Sequence, residues 1–340
     1  MSKTRQLGRT LFSSLPKLGL IRKPLFHRPR GTSAMMTVKN EEDWIERSIL
    51  SLVREVDEVV VVEGGSEDRT YNLVCELRSR FPEKIRIFRV IDADFCTSRN
   101  IALHATRFST VLRWDGDFIA RTTGSNSVSH LLSRVSDLDR LRYYCVWLGP
   151  VSLDGDVFHQ IPEDTVEREP VVFTYHPILH YRQIGRFETL QVPFFFKRLD
   201  WTELYYFHMR YVKPARRILF RFFWTEWMAL PDKTEFPTLD SFVKRRIWGE
   251  YGTEDLNEAT RRRFLDLSQE LVPYDRARYG EYPAIIKDEL QHPKYRLIFE
   301  DGRIVGRSDI NVPSPTSNVT TPRPPGSEEC HVSDLEGKTP

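Results

Sequence analysis

A chain of 340 residues with 40% apolar and 12% aromatic content holds material for one large α/β domain with extensions, or for such a domain and a small second one. Its 50 Lys and Arg stand against 48 Asp and Glu, formally +2, which excludes the basic surplus of a general nucleic-acid binder. No apolar run approaches the ~20 residues that span a bilayer.

Cys75, Cys96, Cys145 and Cys330 are scattered and form no C-x-x-C pair, which speaks against a disulfide framework or zinc knuckle. A reducing, cytoplasmic setting is the simpler expectation. Asn318-Val319-Thr320 has the form of a glycosylation sequon, which carries little weight in a cytosolic tail.

Residues 1–33 hold eight Lys and Arg, Lys3 to Arg30, and no acid. Pro16 and Lys17 interrupt the apolar stretch 11–21, so it makes a poor secretory signal. We read residues 1–33 as a disordered basic leader. An organelle transit peptide, or an arm that meets anionic lipid, is the alternative.

Residues 34–38 then read as a short buried strand. Asn40 is placed to cap the following helix, with Glu41, Glu42 and Asp43 at the positive end of its dipole. Trp44, Ile45, Ile49, Leu52 and Val53 recur at helical spacing. Residues 58–62 form a continuous apolar strand, the pattern of a sheet covered on both faces. Asp68 is set to cap a helix carrying Tyr71, Leu73, Val74 and Leu77. A strand at 85–90, a helix at 98–107 and a strand at 110–114 complete the alternation. Such alternation predicts a doubly wound, mostly parallel sheet, whose ligands lie beyond the carboxyl ends of the strands.

The polar residues fall there. Lys39, Asn40 and Glu41 follow the first strand, Glu63-Gly64-Gly65-Ser66-Glu67-Asp68-Arg69-Thr70 the second, and Asp115-Gly116-Asp117 the fourth. Two carboxylates flanking a small residue can approach one hard cation, Mg²⁺ or Mn²⁺, that keeps phosphate oxygens in its other positions. Gly64 and Gly65 permit close approach of backbone to a ligand. A lone Asp-x-Asp is weak evidence; the ordered set is specific.

Val38-Lys39-Asn40-Glu41-Glu42, the stretch 57–70, Ser98-Arg99-Asn100-Ile101-Ala102 and Trp114-Asp115-Gly116-Asp117 together resemble family 2 glycosyltransferases of the GT-A fold. The resemblance is dense to residue 117 and extends to about residue 230. It implies a Rossmann-like nucleotide-binding half (34–120), an acceptor and catalytic half (121–230), a helical extension (231–307) and a disordered tail (308–340).

The implied activity is inverting transfer of a sugar from a nucleoside-diphosphate sugar to a hydroxyl of a glycan, lipid-linked or protein acceptor, with Mn²⁺ or Mg²⁺ as cofactor. By the same resemblance, Val38, Asn40, Glu41, Glu63, Gly65 and Asp68 cradle the nucleotide. Arg99 and Asn100 form its third motif, Arg99 with a fork suited to diphosphate. Asp115 and Asp117 hold the metal, Asp115 also facing the nucleotide. The family usually has Asp-Asp or Asp-Gly after the second strand, and Glu63-Gly64 here leaves the nucleotide base open. Glu63 and Asp68 also suit a second role, as caps of the loop and helix.

An inverting transferase needs a carboxylate to take the acceptor proton. The strand-end acids of the first half are committed, so the base comes from the second. Glu188 follows a strand-like aromatic stretch, 175–184, and resembles the Glu that lipopolysaccharide-type members carry before a helix or loop. Glu163 and Asp164, in the Pro- and acid-rich segment 161–170, are the alternatives. His208, in Tyr205-Tyr206-Phe207-His208-Met209, resembles the His that completes the metal shell. It is equally a satisfied histidine on a buried strand. Arg210 and Lys213 can neutralise diphosphate from the same segment.

The aromatic and basic stretch 214–230 is either a helix packed on the domain or one lying on a membrane surface, the source of an expected peripheral membrane contact. Residues 235–300 read as further helices. Two other functions compete. A sugar nucleotidyltransferase lacks support because no Gly-rich loop follows the first strand. A non-catalytic module that binds sugar nucleotide or glycan is opposed by intact Asp115, Asp117 and His208.

Overall fold

The computed structural model describes residues 28–91, 93–137, 143–162, 168–185, 187–228, 230 and 232–310. The leader through residue 27, Glu163 and Asp164, and the tail from residue 311 lie outside the described residues.

Four strands, β1 (Thr32–Val38), β2 (Glu58–Glu63), β3 (Ile85–Arg89) and β4 (Thr110–Asp115), alternate with α1 (Ile45–Leu52), α2 (Thr70–Arg80) and α3 (Phe95–Ala105). Then come β5 (Phe118–Ala120), α4 (Val128–Asp137), β6 (Tyr144–Leu148), β7 (Val151–Leu153), β8 (His159–Gln160) and β9 (Glu169–Thr174). The hairpin β10 (His180–Ile184) and β11 (Phe187–Gln191) precedes β12 (Lys197–Asp200) and β13 (Tyr206–Met209). Helices α5 (Ala215–Met228), α6 (Leu239–Tyr251) and α7 (Leu256–Ser268) follow. Short pieces end the described chain: β14 (Val272–Pro273), α8 (Arg276–Tyr279), α9 (Lys287–Gln291), β15 (Leu297–Glu300) and β16 (Arg303–Arg307).

The main sheet has the order β12-β6-β9-β4-β1-β2-β3. Its β3-β2-β1-β4 half is parallel, while β9 runs antiparallel to both β4 and β6. Alternation along the strands sorts two cores. Met36, Val59, Val61, Leu112 and Trp114 face α1 residues Ile45, Ile49 and Leu52, and Met35, Val60, Val62 and Val111 face Ala102 and Leu103 of α3. Each such Val, Leu, Ile or Met side chain stabilises the fold by about 1.5–3 kcal/mol. A second, five-stranded sheet has the order β14-β8-β7-β13-β5, while β6, β9 and β12 of the later chain extend the main one. Register then fixes the working edge: Asp115 lies opposite Thr37, and Glu63 opposite Val38.

Several expectations need correction. Asn40 does not cap α1; it adopts a left-handed conformation (φ 58°), and the helix starts five residues later. The Glu41 carbonyl accepts from Trp44 and Ile45 N–H instead, and of the acids only Glu46 lies in the first turn. Helix α3 begins at Phe95, capped by Asp94, whose side chain accepts from Thr97 N. Only the second half of 175–184 is strand, and Glu188 sits within β11 rather than before a helix. The extension 231–307 is helical through Ser268 and then turns to short strands and helices, with β14 joining the second sheet.

Helix α5 is a packed helix. Leu219 and Phe223 enter a cluster with Phe242, Val243 and Ile247 of α6, while Ile218 packs with Phe264 of α7. Among the described residues no helix is long and apolar enough to cross a membrane.

Candidate active site

The loops after β1 and β2 are stitched together by backbone groups. Asn40 N donates to Ser66 Oγ (2.8 Å) and Glu67 N donates to Asn40 Oδ1 (2.8 Å). Glu41 N donates to Thr70 Oγ1, Glu42 N to Asp68 Oδ2, and Gly64 N to the Val38 carbonyl at 2.9 Å. Asp68 Oδ1 also takes Thr70 N at 2.9 Å, so Asp68 braces the loop, but it is not the expected cap of α2, whose N-cap residue is Arg69. Glu63 is fully buried and engaged within the protein: one oxygen accepts from Ser66 N and the other from Arg89 Nε at 3.1 Å. It shapes the turn. Gly65 sits at φ 78°, and a Cβ there would meet Ile91 Cγ2 at 3.3 Å, so the turn itself calls for glycine.

The Asp115-Gly116-Asp117 turn is braced from below by α1. Trp114 Nε1 donates to Ser48 Oγ, which donates to the Asp115 carbonyl, each at 3.1 Å. Gly116 lies against Val38 and Glu41, where an added Cβ would approach both at 3.1 Å. The missing side chain brings Glu41 up to the two aspartates.

Four carboxylates and four cations converge above this turn. Arg99, 4% exposed, lies 2.7 Å from Asp115 and 3.4 Å from Glu188, and Arg113 lies 2.9 Å from Asp115. Lys213 Nζ lies 2.7 Å from Asp117 Oδ2 and 2.7 Å from Glu41 Oε2. His208 Nε2 meets the same Asp117 oxygen at 3.2 Å. Arg221 stands 3.9 Å from Glu41.

Burial raises the Asp115 carboxyl, but Arg113 and Arg99 more than offset it and hold it at about 2. Asp117 lies well below the usual range, since Lys213 and His208 outweigh its burial. Glu41 moves the other way: burial raises it more than Lys213 lowers it. Burial works against the Arg99 charge, and Asp115 and Glu188 reverse that, raising its pKa.

His208 is carried by β13, whose residues pair with both β5 and β7, so both readings of it meet: a histidine on a buried strand, yet against Asp117. Asn100 binds elsewhere than the nucleotide loops. Its amide grips the Tyr181 backbone at both ends, Nδ2 donating to O at 3.0 Å and Oδ1 accepting from N at 2.6 Å. It thereby anchors the hairpin that carries Glu188. Glu188 borders a small cleft with Phe95, Cys96, Gln183 and Trp224.

Residues 33–176 match the model of Glycosyl transferase family 2. Over those residues the chain is similar to a family 2 glycosyltransferase domain. Similar solved structures include Staphylococcus aureus TarS 1–349 in complex with UDP-GlcNAc, 16% identical over 80% of this chain and 95% of that one, TM-score 0.39. The mannosyltransferase PcManGT of Pyrobaculum calidifontis, in complex with GDP-Man and Mn²⁺, is 14% identical over 85% of this chain and 88% of its own, TM-score 0.38. Glucosyl-3-phosphoglycerate synthase of Mycobacterium tuberculosis, in complex with phosphoglyceric acid, is 25% identical over 26% and 34% of the two chains, TM-score 0.22. No curated protein matches.

The family 2 match ends after β9, so Glu188, His208 and Lys213 lie beyond it. Among the described residues, no three His, Cys, Asp or Glu side chains converge as a metal-holding group. The donors nonetheless fit a hard divalent ion in kind: Asp115, whose Oδ1 is held by Arg99 at 2.7 Å, Asp117, and an imidazole against it.

Three contacts of this centre were not foreseen, although Gly116 and Lys213 were themselves singled out. Arg113 is two residues before Asp115 on one strand, and period two puts both on one face, a signal the sequence contains. Gly116 carries no signal beyond its size. The pairing of Lys213 with Glu41 spans 172 residues and has no local trace.

Proposed function

We propose that this family 2 domain transfers a sugar from a nucleoside-diphosphate sugar to a hydroxyl acceptor with inversion, in the presence of a divalent cation. One observation carries the reading. The Arg99 guanidinium bridges Asp115 of the strand-end turn and Glu188 of a hairpin 73 positions later, so one buried cation joins the metal motif to the candidate base.

Arg99 Nε and Nη1 are buried and make no hydrogen bond. Donors left open in that way suit an arriving diphosphate. Asp115, Asp117 and His208 would hold the cation, Mn²⁺ or Mg²⁺, which when bound stabilises charge on the departing diphosphate. Glu188, 22% exposed, takes the acceptor proton. The acceptor oxygen bonds to the anomeric carbon from the opposite side, and the carbon–oxygen bond to the diphosphate breaks with its electrons passing to phosphate. The cleft beside Glu188 is where the acceptor approaches, and Trp224, set edge-on to Phe95 at 4.5 Å, gives it an apolar wall.

The test incubates the full chain with UDP- and GDP-sugars and Mn²⁺, with and without a mixture of hydroxyl acceptors, and follows release of nucleoside diphosphate. Turnover supports the proposal. Nucleotide-sugar binding to folded protein with no turnover under any of these conditions makes the domain a non-catalytic binding module. Sugar nucleotide made from a nucleoside triphosphate and a sugar phosphate makes it a nucleotidyltransferase.

A further inference from the structure

Lys213 is 4% exposed, and its ammonium is shared between Glu41 and Asp117. It opens a series at four-residue steps. Arg217 lies 3.5 Å from Asp43 and 3.3 Å from Asp68, and Arg221 reaches toward Glu41 with its side chain 52% exposed. One face of α5 and the turn before it thus lay three cations over the acids of the strand-end loops.

An ammonium at 2.7 Å from Asp117 Oδ2 occupies one approach to an oxygen that a divalent ion would also use. Two cations on that oxygen repel each other strongly in a site removed from water, so a bound ion and the ammonium compete for it. Once Asp117 is taken, the buried ammonium keeps Glu41 alone where it had two carboxylates. Lysine carries three rotatable donors on a flexible stem, so it can exchange one oxygen ligand for another. A diphosphate arriving at the Arg99 side of the same centre supplies that second ligand.

We propose that Lys213 is an exchangeable cation, which occupies Asp117 in the free protein and passes to the donor's diphosphate when donor and divalent ion bind together. The proposal rests on the transferase reading above. Its consequence is a coupling between the two ligands: the ion alone competes with Lys213, and the diphosphate relieves that competition.

Lys213→Met separates this role from a structural one, because the two affinities move in opposite directions. Mn²⁺ alone, titrated by calorimetry or paramagnetic resonance, should bind about tenfold tighter than to wild type, a competing cation having been removed. UDP or GDP in saturating Mn²⁺, whichever wild type binds, should bind about tenfold weaker. Weakening of both, or no change in either, overturns the proposal. If wild type binds neither UDP nor GDP, with or without Mn²⁺, the transferase reading falls and takes this proposal with it. Should Lys213→Met fail to fold, Lys213→Met with Glu41→Gln removes one charge of each sign. Mn²⁺ alone must again bind tighter than to wild type, and equal or weaker binding overturns the idea.

Discussion

Asn100 and Tyr181 are joined through both ends of one amide, so helix α3 and strand β10 are locked in register by a side chain that mimics a strand partner. Asn100→Ala removes two hydrogen bonds and leaves the buried Tyr181 backbone unpaired. The expected cost is about 1–3 kcal/mol, measured by denaturant unfolding. Faster amide exchange across residues 180–191 than elsewhere should accompany it, and uniform exchange would show that the hairpin does not depend on Asn100.

Glu188→Gln keeps shape and most hydrogen bonding but cannot accept the acceptor proton. Turnover should fall by about 10²–10⁴-fold, with donor affinity nearly unchanged. A raised acceptor KM with kcat kept would instead mark Glu188 as a residue that holds the acceptor. Glu163→Gln and Asp164→Asn are the necessary companions. Loss of transfer in either, with Glu188→Gln active, moves the base to that segment.

Asp117→Ala should abolish the effect of Mn²⁺ on nucleotide affinity, because one of two hard ligands is lost. The fold should survive, since Lys213 still has Glu41 at 2.7 Å. Mn²⁺-dependent binding that persists in the folded variant refutes the Asp-x-Asp assignment.

Gly65 behaves differently from its sequence context. Its positive φ makes Gly65→Ala cost about 1–2 kcal/mol in a left-handed conformation. The contact with Ile91 adds little, because that side chain is largely exposed and can give way. Stability should therefore suffer more than nucleotide affinity, and the opposite ranking would restore close ligand approach as the reason for glycine.

Asp154, buried behind β7, has its carboxyl pushed up to about 7 by burial, with Arg210 and Arg307 opposing. Between the unfolded value near 3.8 and the folded value, the folded state keeps a proton that the unfolded state has released. Stability from this group is thus complete below about pH 4 and is lost as pH rises to about 7. Asp154→Asn removes the dependence. The Tm difference, variant minus wild type, should grow from pH 4 to pH 7 and then level off, and a flat difference would show that Asp154 does not titrate in that range.

The first half of the domain was legible because parallel strands covered on both faces read as unbroken apolar runs, such as 58–62, with helical periodicity between them. Its strand ends follow from that frame, which is why Asp115 and Asp117 stand out in the sequence. Local geometry was less legible. Asn40 has the composition of a helix cap, yet its left-handed backbone serves a cross-loop contact with Glu67 that no nearby residue announces. Beyond Ser268 the strands are two to five residues long, too short for periodicity to separate from helix. Asn100 and Lys213 act across 81 and 172 positions, a distance at which only the folded chain brings partners together.

Arg307 is fully buried, and its guanidinium donates to the carbonyls of Tyr211 (2.8 Å), Lys213 (2.6 Å) and Gly155 (2.9 Å), while Asp309 accepts from Ala215 N. The turn that aims Lys213 is therefore fastened by residues almost a hundred positions downstream. During synthesis the sheet, the Asp-Gly-Asp turn and Glu188 all leave the ribosome before that fastener exists. A nascent chain can fold the nucleotide half early, while Lys213 stays untethered until the last hairpin has emerged. The order of translation thus keeps the cleft unfinished until Arg307 closes it.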